Sequence, residues 1–164
     1  MTRTLLIAAA LSAFSLAGCA QAQTPAQETP AAAATVPAAE FMATNGKKPG
    51  VVTLPSGLQY KVVASGPKTG VTPKPQDMIK VHYEGTLTNG EVFDSSYQAG
   101  APMTARLGQL VPGWVEALQL MRKGDSWMLY LPPELGYGDR AAGPIPPGSV
   151  LVFKIELLDV LPQG

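Results

Sequence analysis

Alternation of apolar and polar residues after residue 50 constrains the fold of this chain more than any other feature. From Ile79 to Glu84 every second residue is apolar or aromatic, and the segment 151–158 follows a similar pattern. A period of two is typical of a β-strand with one buried face. An Asn89-Gly90 pair follows the first of these segments, and such a pair between strands is the strongest short-range signal for a β-hairpin. The sequence therefore predicts an antiparallel sheet.

One segment has helical rather than strand periodicity. Trp114, Leu118 and Met121 recur at the spacing of one helix face. Pro112 suits the first turn of such a helix, and Gly124 suits the position after its end. Further strands are expected in three apolar segments, at 58–63, 104–107 and 126–131. The predicted fold class is α+β, with an antiparallel sheet of five to six strands packed on one helix.

The composition argues against several classes of function. Twelve Lys and Arg balance twelve Asp and Glu, so the chain lacks the positive excess of a nucleic-acid-binding protein. With one Cys and one His, it can form neither an internal disulfide nor a Cys/His zinc site, and Ser-His-Asp or Cys-His catalysis is disfavoured. We therefore expect no nucleic-acid partner, no metal and no cofactor.

Residues 1–18 are predicted to be a lipoprotein signal peptide. The apolar run from residue 5 to 16 has the length of a signal h-region and falls short of the roughly 20 residues of a membrane-spanning helix. It ends in Leu-Ala-Gly-Cys at 16–19, which resembles the lipobox of bacterial lipoprotein precursors. That resemblance implies cleavage before Cys19, acylation of Cys19, and a place in the bacterial cell envelope, at the outer membrane facing the periplasm. A plain secretory signal, cleaved a few residues later, is the alternative.

Residues 19–50 are predicted to be a flexible tether to a folded domain at 51–164. Ala, Gln, Thr and Pro dominate the segment 21–39, and this composition cannot bury enough apolar surface to fold. An Ala-rich helix is the competing interpretation, but three prolines divide the segment into pieces too short to persist as helices. A single helical turn is expected at 40–43.

Six short motifs between residues 81 and 153 together resemble the FKBP family, the tacrolimus-binding peptidyl-prolyl cis/trans isomerases. They are Val81-His82-Tyr83-Glu84-Gly85, Phe93-Asp94-Ser95-Ser96, Val111-Pro112-Gly113-Trp114, Tyr137-Gly138, Ile145-Pro146-Pro147 and Leu151-Val152-Phe153. The segment 54–60, Leu-Pro-Ser-Gly-Leu-Gln-Tyr, is similar to the bacterial branch that includes the macrophage infectivity potentiators. The resemblance implies a curved antiparallel sheet wrapped around a short helix, with a pocket between them.

The resemblance also implies a site for proline-containing polypeptides and for inhibitors of the tacrolimus or rapamycin type. Trp114 would form the floor under the proline ring, and Asp94 would hold Tyr83 rather than act as an acid or base. Tyr137 O–H and Ile145 N–H would each donate to a substrate carbonyl. The implied catalytic residues are Tyr83, Asp94 and Tyr137, and the implied substrate-binding residues are Phe93, Met103, Leu110, Val111, Trp114, Ile145 and Phe153.

Taken without the resemblance, several of these residues have plainer interpretations. Trp114 on a helix face and Phe153 on a strand would be core residues, and Asp94 after a hairpin would be a turn cap. His82 is expected to be structural or at the surface. No general base is expected near Ser95 or Ser96, so neither serine is predicted to be a catalytic nucleophile.

Three functions remain open from the sequence. The first is a lipid-anchored isomerase that speeds folding of envelope proteins. The second is a module that binds proline-containing segments without turnover, which the non-aromatic Met103 favours slightly. The third is a surface factor that contacts host molecules, suggested only by the resemblance to the branch that includes the macrophage infectivity potentiators.

The tether leaves no room for the N-terminal dimerisation region that is usual in that branch, so a monomer is expected.

Overall fold

The computed structural model of the protein describes residues 36–163. Seven strands form one antiparallel sheet in the order β1-β2-β6-β7-β3-β4, and β5 also pairs with β3. The strands are β1 (Val51–Thr53), β2 (Gln59–Ala64), β3 (Met78–Leu87), β4 (Val92–Ser95), β5 (Met103–Arg106), β6 (Ser126–Leu131) and β7 (Leu151–Leu161). The α+β class is confirmed, with more strands than the expected five to six because the three-residue β1 is too short to show a period of two.

The predicted hairpin joins β3 to β4 at the Asn-Gly pair. The Leu87 amide donates to the Glu91 carbonyl at 2.8 Å, and Gly90 has a φ of 88°. Only a residue without a Cβ adopts that backbone angle at low cost, so Gly90 allows the turn to close. The hairpin brings the end of β4 alongside the middle of β3.

The helix α2 spans Pro112–Leu118 and is shorter than the sequence pattern indicates. The α-helical hydrogen bonding ends there because the Leu120 and Met121 N–H groups donate three residues back, to the Ala117 and Leu118 carbonyls, and two later amides bond outside the helix. The Asp125 carboxylate accepts the Arg122 N–H at 2.8 Å, and the Gly124 N–H donates to the Leu157 carbonyl at 2.8 Å. These two amides are therefore not available to continue the helix, although Met121 still packs in the core.

The main core lies between α2 and the sheet. Trp114 and Leu118 of α2 are buried with alternate residues of the central strands, including Leu131 of β6 and Ile155 of β7. Gly113 allows the close approach, because a Cβ at this position would lie 2.5 Å from Leu131 Cγ. The strand β6 lies between β2 and β7, which confirms its predicted central position.

The single helical turn expected at 40–43 is part of a longer helix, α1 (Ala38–Asn45), which lies within the segment 19–50. Asn45 Nδ2 donates to Gln59 Oε1 at 2.9 Å, and Gln59 Nε2 donates to the Met42 carbonyl at 2.8 Å. A helix of this length is unstable alone, so contacts with the domain stabilise it.

The predicted signal peptide and Cys19 lie outside the described residues. Neither helix in 36–163 is long and apolar enough to cross a membrane.

Candidate active site between the helix and the sheet

A cavity of about 120 Å³ opens beside α2 and brings together nearly the whole predicted site. Nine of the ten predicted residues line it, from β3, β4, β5, β7, α2 and two connecting segments. They are Tyr83, Phe93, Asp94, Met103, Leu110, Val111, Trp114, Tyr137 and Phe153. These residues are far apart in the sequence, so the sheet pairing and the helix position are what assemble the site.

Aromatic rings that meet at right angles form the frame of the cavity. Trp114 packs against Phe153 at 5.1 Å and 89°, and against Tyr83 at 5.2 Å and 81°. Phe93 meets Phe153 at 5.5 Å and 90°. Edge-to-face contacts are favourable for aromatic rings. Within 36–163 no ring stacks parallel on the indole of Trp114, which is only 4% exposed and lines the cavity.

Gly85 makes room for two of these rings and was not predicted as a site residue. It lies opposite Phe153 in the pairing of β3 with β7. A Cβ at Gly85 would lie 2.6 Å from the Phe93 ring and 2.8 Å from the Phe153 ring. Both rings therefore depend on the absence of a side chain here. The motif Val81–Gly85 contains this glycine, but the sequence does not show which rings would cover it.

Tyr83 and Asp94 form the principal polar contact of the site. The Tyr83 hydroxyl donates to Asp94 Oδ2 at 2.6 Å, which is the predicted contact between them. Burial, and then the hydrogen bond to the nearby carboxylate, raise the pKa of Tyr83 well above its ordinary value. Tyr83 is thus a neutral donor at physiological pH, and it holds the Asp94 carboxylate at the edge of the aromatic frame.

Tyr137 reaches the cavity from the segment after β6. It follows a single 3-10 turn at Pro133–Leu135, and its side chain is 43% exposed. Its hydroxyl makes no hydrogen bond with another residue of the described part of the chain. This hydroxyl is therefore available to a ligand.

Ile145 is placed differently from the prediction. Its side chain is buried in the core and does not line the cavity. Its N–H donates to the Ala142 carbonyl at 3.0 Å, and the Ala142 N–H donates back to the Ile145 carbonyl. The Ile145 N–H is thus already used in closing its own loop. Because this N–H is occupied, the structure does not place it as the predicted donor to a substrate carbonyl. The motif around Ile145 gave no indication of this bridge to Ala142.

Met103 supplies an unbranched aliphatic wall from β5. It is half-buried and packs against the core cluster that contains Trp114 and Phe153. A thioether side chain is flexible and adapts to irregular shapes. The wall at this position is therefore more deformable than an aromatic ring would be.

A larger cleft, of about 460 Å³, lies elsewhere on the protein and differs in construction. It is bordered by Tyr60, Trp127, Lys68, Arg122 and Asp125, among others. Tyr60 stacks almost parallel on Trp127, with 4.4 Å between ring centroids and 13° between planes. One face of that indole is therefore covered. None of the predicted site residues lines this cleft.

The model of the FKBP-type peptidyl-prolyl cis-trans isomerase family matches residues 69–158. The model of the domain amino-terminal to FKBP-type peptidyl-prolyl isomerase matches residues 1–62. The first of these matches covers more than half of the chain and includes every residue that lines the cavity. The chain belongs to the FKBP-type peptidyl-prolyl cis-trans isomerase family.

Relatives and solved structures agree with this assignment. The chain is 50% identical over 121 residues to the outer membrane protein MIP of Legionella longbeachae, covering 73% of this chain and 51% of that protein. FkpA of Escherichia coli has a solved structure that is 45% identical, with a TM-score of 0.72, covering 76% of this chain and 58% of that chain. A peptidyl-prolyl cis-trans isomerase of Pseudomonas syringae is 38% identical, with a TM-score of 0.70, covering 76% of this chain and 91% of that chain. The chain spans about half the length of the curated relatives it matches.

Proposed function

We propose that this protein is a peptidyl-prolyl cis-trans isomerase that accelerates the folding of cell-envelope proteins. The observation that carries the proposal is the convergence of nine predicted residues on one cavity of about 120 Å³. The cavity combines an aromatic floor, apolar walls and three polar side chains at its edge. This is the composition expected of a site that binds a small apolar ring and a nearby carbonyl.

The proposed chemistry needs no nucleophile and no cofactor. Rotation about an amide bond meets a barrier of about 18–20 kcal/mol, because resonance gives the C–N bond partial double-bond character. An X-Pro bond populates both isomers and exchanges over tens to hundreds of seconds. A site that binds the twisted amide more tightly than either planar form lowers this barrier. Removing water from the carbonyl contributes, because water favours the polar planar resonance form.

Six of the residues that line the cavity have specific roles in this proposal. Trp114 supports the proline ring from below, and Phe153 and Val111 enclose it. The Tyr137 hydroxyl donates to a carbonyl of the substrate. Asp94, held by Tyr83, polarises the surroundings of the rotating carbonyl without exchanging a proton.

Proline-containing polypeptides are the proposed substrates, and tacrolimus or rapamycin are proposed inhibitors of the same cavity. The flexible Met103 wall predicts weaker inhibitor binding than an aromatic wall would give, because a flexible thioether side chain must lose conformational freedom when a ligand binds.

Kinetic exchange of an X-Pro peptide tests the proposal. The full chain is added to a peptide with slow cis/trans exchange, with and without rapamycin. We expect faster exchange that excess rapamycin suppresses. Binding of the peptide without faster exchange would instead favour a module that holds proline-containing segments, and the absence of both would contradict the proposal.

We further propose that residues 1–18 are removed and that Cys19 carries the lipid anchor of a monomer at the outer membrane. Two observations support it: the Leu-Ala-Gly-Cys sequence at 16–19 and the name of the Legionella relative, an outer membrane protein. Several acyl chains hold a protein firmly, whereas one binds a membrane reversibly. Fatty-acid labelling should disappear in Cys19→Ser, and labelling that persists would contradict the anchor. The molecular mass of the mature protein, measured by sedimentation, tests the monomer: the mass of one chain is expected, and the mass of two chains would contradict it.

A further inference from the structure

The buried hydroxyl of Ser96 contacts three polar atoms at once. Ser96 follows directly after β4, and its side chain is 3% exposed in the described structure. Its Oγ lies 2.8 Å from the Tyr83 nitrogen, 3.1 Å from the Tyr83 carbonyl oxygen and 2.9 Å from His82 Nδ1. The Ser96 N–H also donates to the Tyr83 carbonyl at 3.0 Å. Ser96 thus binds both backbone polar groups of the tyrosine that holds Asp94.

This contact replaces a regular sheet bond. In the pairing of β3 with β4, Glu84 lies opposite Ser95, and continuing this register would place Tyr83 opposite Ser96. In a regular antiparallel pair, Tyr83 and Ser96 would exchange two backbone hydrogen bonds. One of these is present, from Ser96 to Tyr83, but the return bond from the Tyr83 N–H goes to the Ser96 hydroxyl. A side chain therefore completes the pairing at the point where β4 ends.

Counting protons assigns the direction of each bond. A serine hydroxyl has one proton and two lone pairs. The Tyr83 N–H can only donate and occupies one lone pair, and the Tyr83 carbonyl can only accept and takes the proton. All three contacts are satisfied together only if His82 Nδ1 carries a proton and donates to the second lone pair. An accepting Nδ1 would compete with the Tyr83 carbonyl for the single proton.

The surroundings of His82 keep its ring in this orientation. Its imidazole stacks on Tyr97 at 4.6 Å and 13°, and the Tyr97 hydroxyl donates to Glu156 Oε2 at 3.3 Å. Glu156 lies directly opposite His82 in the pairing of β3 with β7. His82 faces away from the cavity, on the side of β3 opposite Tyr83. The sequence suggested no base near Ser96, and the structure places one there, but the Ser96 hydroxyl is buried and bonded to the backbone.

We propose that Ser96 is a positioning residue of the candidate site, and that His82 supports it as an Nδ1–H donor. Ser96 holds the backbone of Tyr83 while the Tyr83 hydroxyl holds Asp94, so the pair is fixed at both ends of the tyrosine. Asp94 lies two residues before Ser96, and the same short segment therefore sets both members of the pair. The activity readouts of this proposal rest on the proposed isomerase function, whereas its spectroscopic readout does not.

The first test is an NMR spectrum of the full chain, in which His82 is the only histidine. Two-bond ¹H–¹⁵N correlations distinguish the two neutral tautomers of an imidazole, over a pH range that includes the neutral ring. We expect the neutral form to carry its proton on Nδ1. A neutral form protonated on Nε2 alone would overturn the assignment, whether or not the chain proves to be an isomerase.

The second test compares variants by kcat/KM for X-Pro exchange. Ser96→Ala removes all three contacts and should lower kcat/KM by about tenfold, while Ser96→Thr, which keeps the hydroxyl, should restore most of it. Ser65→Ala, at an exposed serine, is the control. A folded Ser96→Ala that exchanges peptides at the wild-type rate would overturn the positioning role.

A pair of substitutions at His82 decides the same question if Ser96→Ala does not fold. His82→Asn retains a donor close to the position of Nδ1, and His82→Leu has none. We expect near wild-type kcat/KM for His82→Asn and a loss of about threefold for His82→Leu. Equal rates for the two variants would contradict the role of the Nδ1 donor.

Discussion

The two tryptophans of this protein have nearly the same burial and very different neighbours. Trp114 and Trp127 are 4% and 6% exposed, and neither Nε1 has a hydrogen-bond partner within residues 36–163. The rings around Trp114 meet it edge to face, whereas Tyr60 lies flat on Trp127. The cavity beside Trp114 is about 120 Å³, and the cleft beside Trp127 is about 460 Å³.

The comparison shows that the arrangement of groups, rather than the volume, distinguishes the candidate site. Tyr83, Asp94 and Tyr137 bring polar atoms to the Trp114 cavity. In the other cleft, both carboxylate oxygens of Asp125 accept backbone N–H groups, from Gly66 and Arg122. That carboxylate is used to hold a turn. The smaller cavity therefore has the better composition for binding a proline ring and its carbonyl.

Substitution of each tryptophan should give the largest contrast. Trp114→Ala and Trp127→Ala should both lower the free energy of unfolding, by about 3–5 kcal/mol. Only Trp114→Ala should also lower kcat/KM for X-Pro exchange, by about 100-fold. Urea unfolding and exchange kinetics measure the two effects. A folded Trp127→Ala variant that loses as much activity as Trp114→Ala would contradict the assignment of activity to the Trp114 cavity.

Gly85→Ala should damage the cavity without removing any ring. The new Cβ would push Phe93 and Phe153 apart, so we expect kcat/KM to fall by about 30-fold. Overpacking should also lower the free energy of unfolding by about 1–3 kcal/mol.

Gly46→Ala is the matched control for this substitution. Its Cβ would lie 2.9 Å from Gln59 Nε2, away from the cavity. It should lower stability while leaving kcat/KM unchanged. If both variants lose activity in proportion to stability, the rings at Gly85 have no special role.

Asp94→Ala should reduce kcat/KM by about tenfold, because it removes the charged partner of the Tyr83 hydroxyl. The fold should persist, since Asp94 is exposed and lies at the edge of the sheet. Exchange kinetics at several peptide concentrations separate kcat from KM. A wild-type rate in a folded Asp94→Ala variant would contradict the proposed role of this carboxylate.

Tyr137→Phe should have a smaller effect, about threefold on kcat/KM. The substitution removes one neutral donor and leaves the ring that borders the cavity. Because the Tyr137 hydroxyl makes no hydrogen bond with another described residue and the side chain is 43% exposed, we expect no change in the midpoint of urea unfolding. An unchanged rate would show that the Tyr137 hydroxyl does not contact the substrate.

Among the effects predicted for residues around Trp114, the smallest should be the change in the free energy of unfolding at alkaline pH. The pKa of Tyr83 is raised in the folded state, so folding retains a proton that the unfolded chain loses near the ordinary pKa of about 10. The contribution to stability is therefore complete below about pH 10 and is lost as the pH rises further. Tyr83→Phe should make the fall in stability shallower in urea unfolding at pH 8–11.

Tyr130→Phe is the control for this pH dependence. Burial also raises the pKa of Tyr130, which does not line the cavity. Both substitutions should make the alkaline fall shallower, but only Tyr83→Phe should change kcat/KM. A slope that Tyr83→Phe leaves unaltered would contradict the raised pKa of this hydroxyl.

The parts of this structure that local patterns determine could be predicted from the sequence. The period of two predicts β3 and β7, and the Asn-Gly pair predicts the turn after β3. Trp114 could be assigned to a helix face from its spacing, and to a cavity only through the family resemblance. Local hydrogen bonds that depend on distant residues were not predictable. The early end of α2 depends on Asp125 and β7, and the loss of the Ile145 donor depends on a bridge to Ala142.

Contacts between segments far apart in the sequence explain the remaining differences. The helix α1 has little amphipathic pattern of its own, and its contact with Gln59 is what places it on the domain. Ser96 belongs to a recognised motif, but its bonds to Tyr83 require the exact pairing of β3 with β4 at the end of a strand. Motifs therefore identified which residues converge, and the sheet register determined what each one contacts.

The most direct test of the account follows both indole N–H signals during catalysis. The chain contains two tryptophans, so an NMR spectrum of the whole chain reports on both environments at once. A proline-containing peptide should exchange its isomers faster and should shift the Trp114 indole signal while leaving that of Trp127 in place. Faster exchange with a shift at Trp127 alone, or no acceleration at saturating peptide, would contradict the assignment of the site.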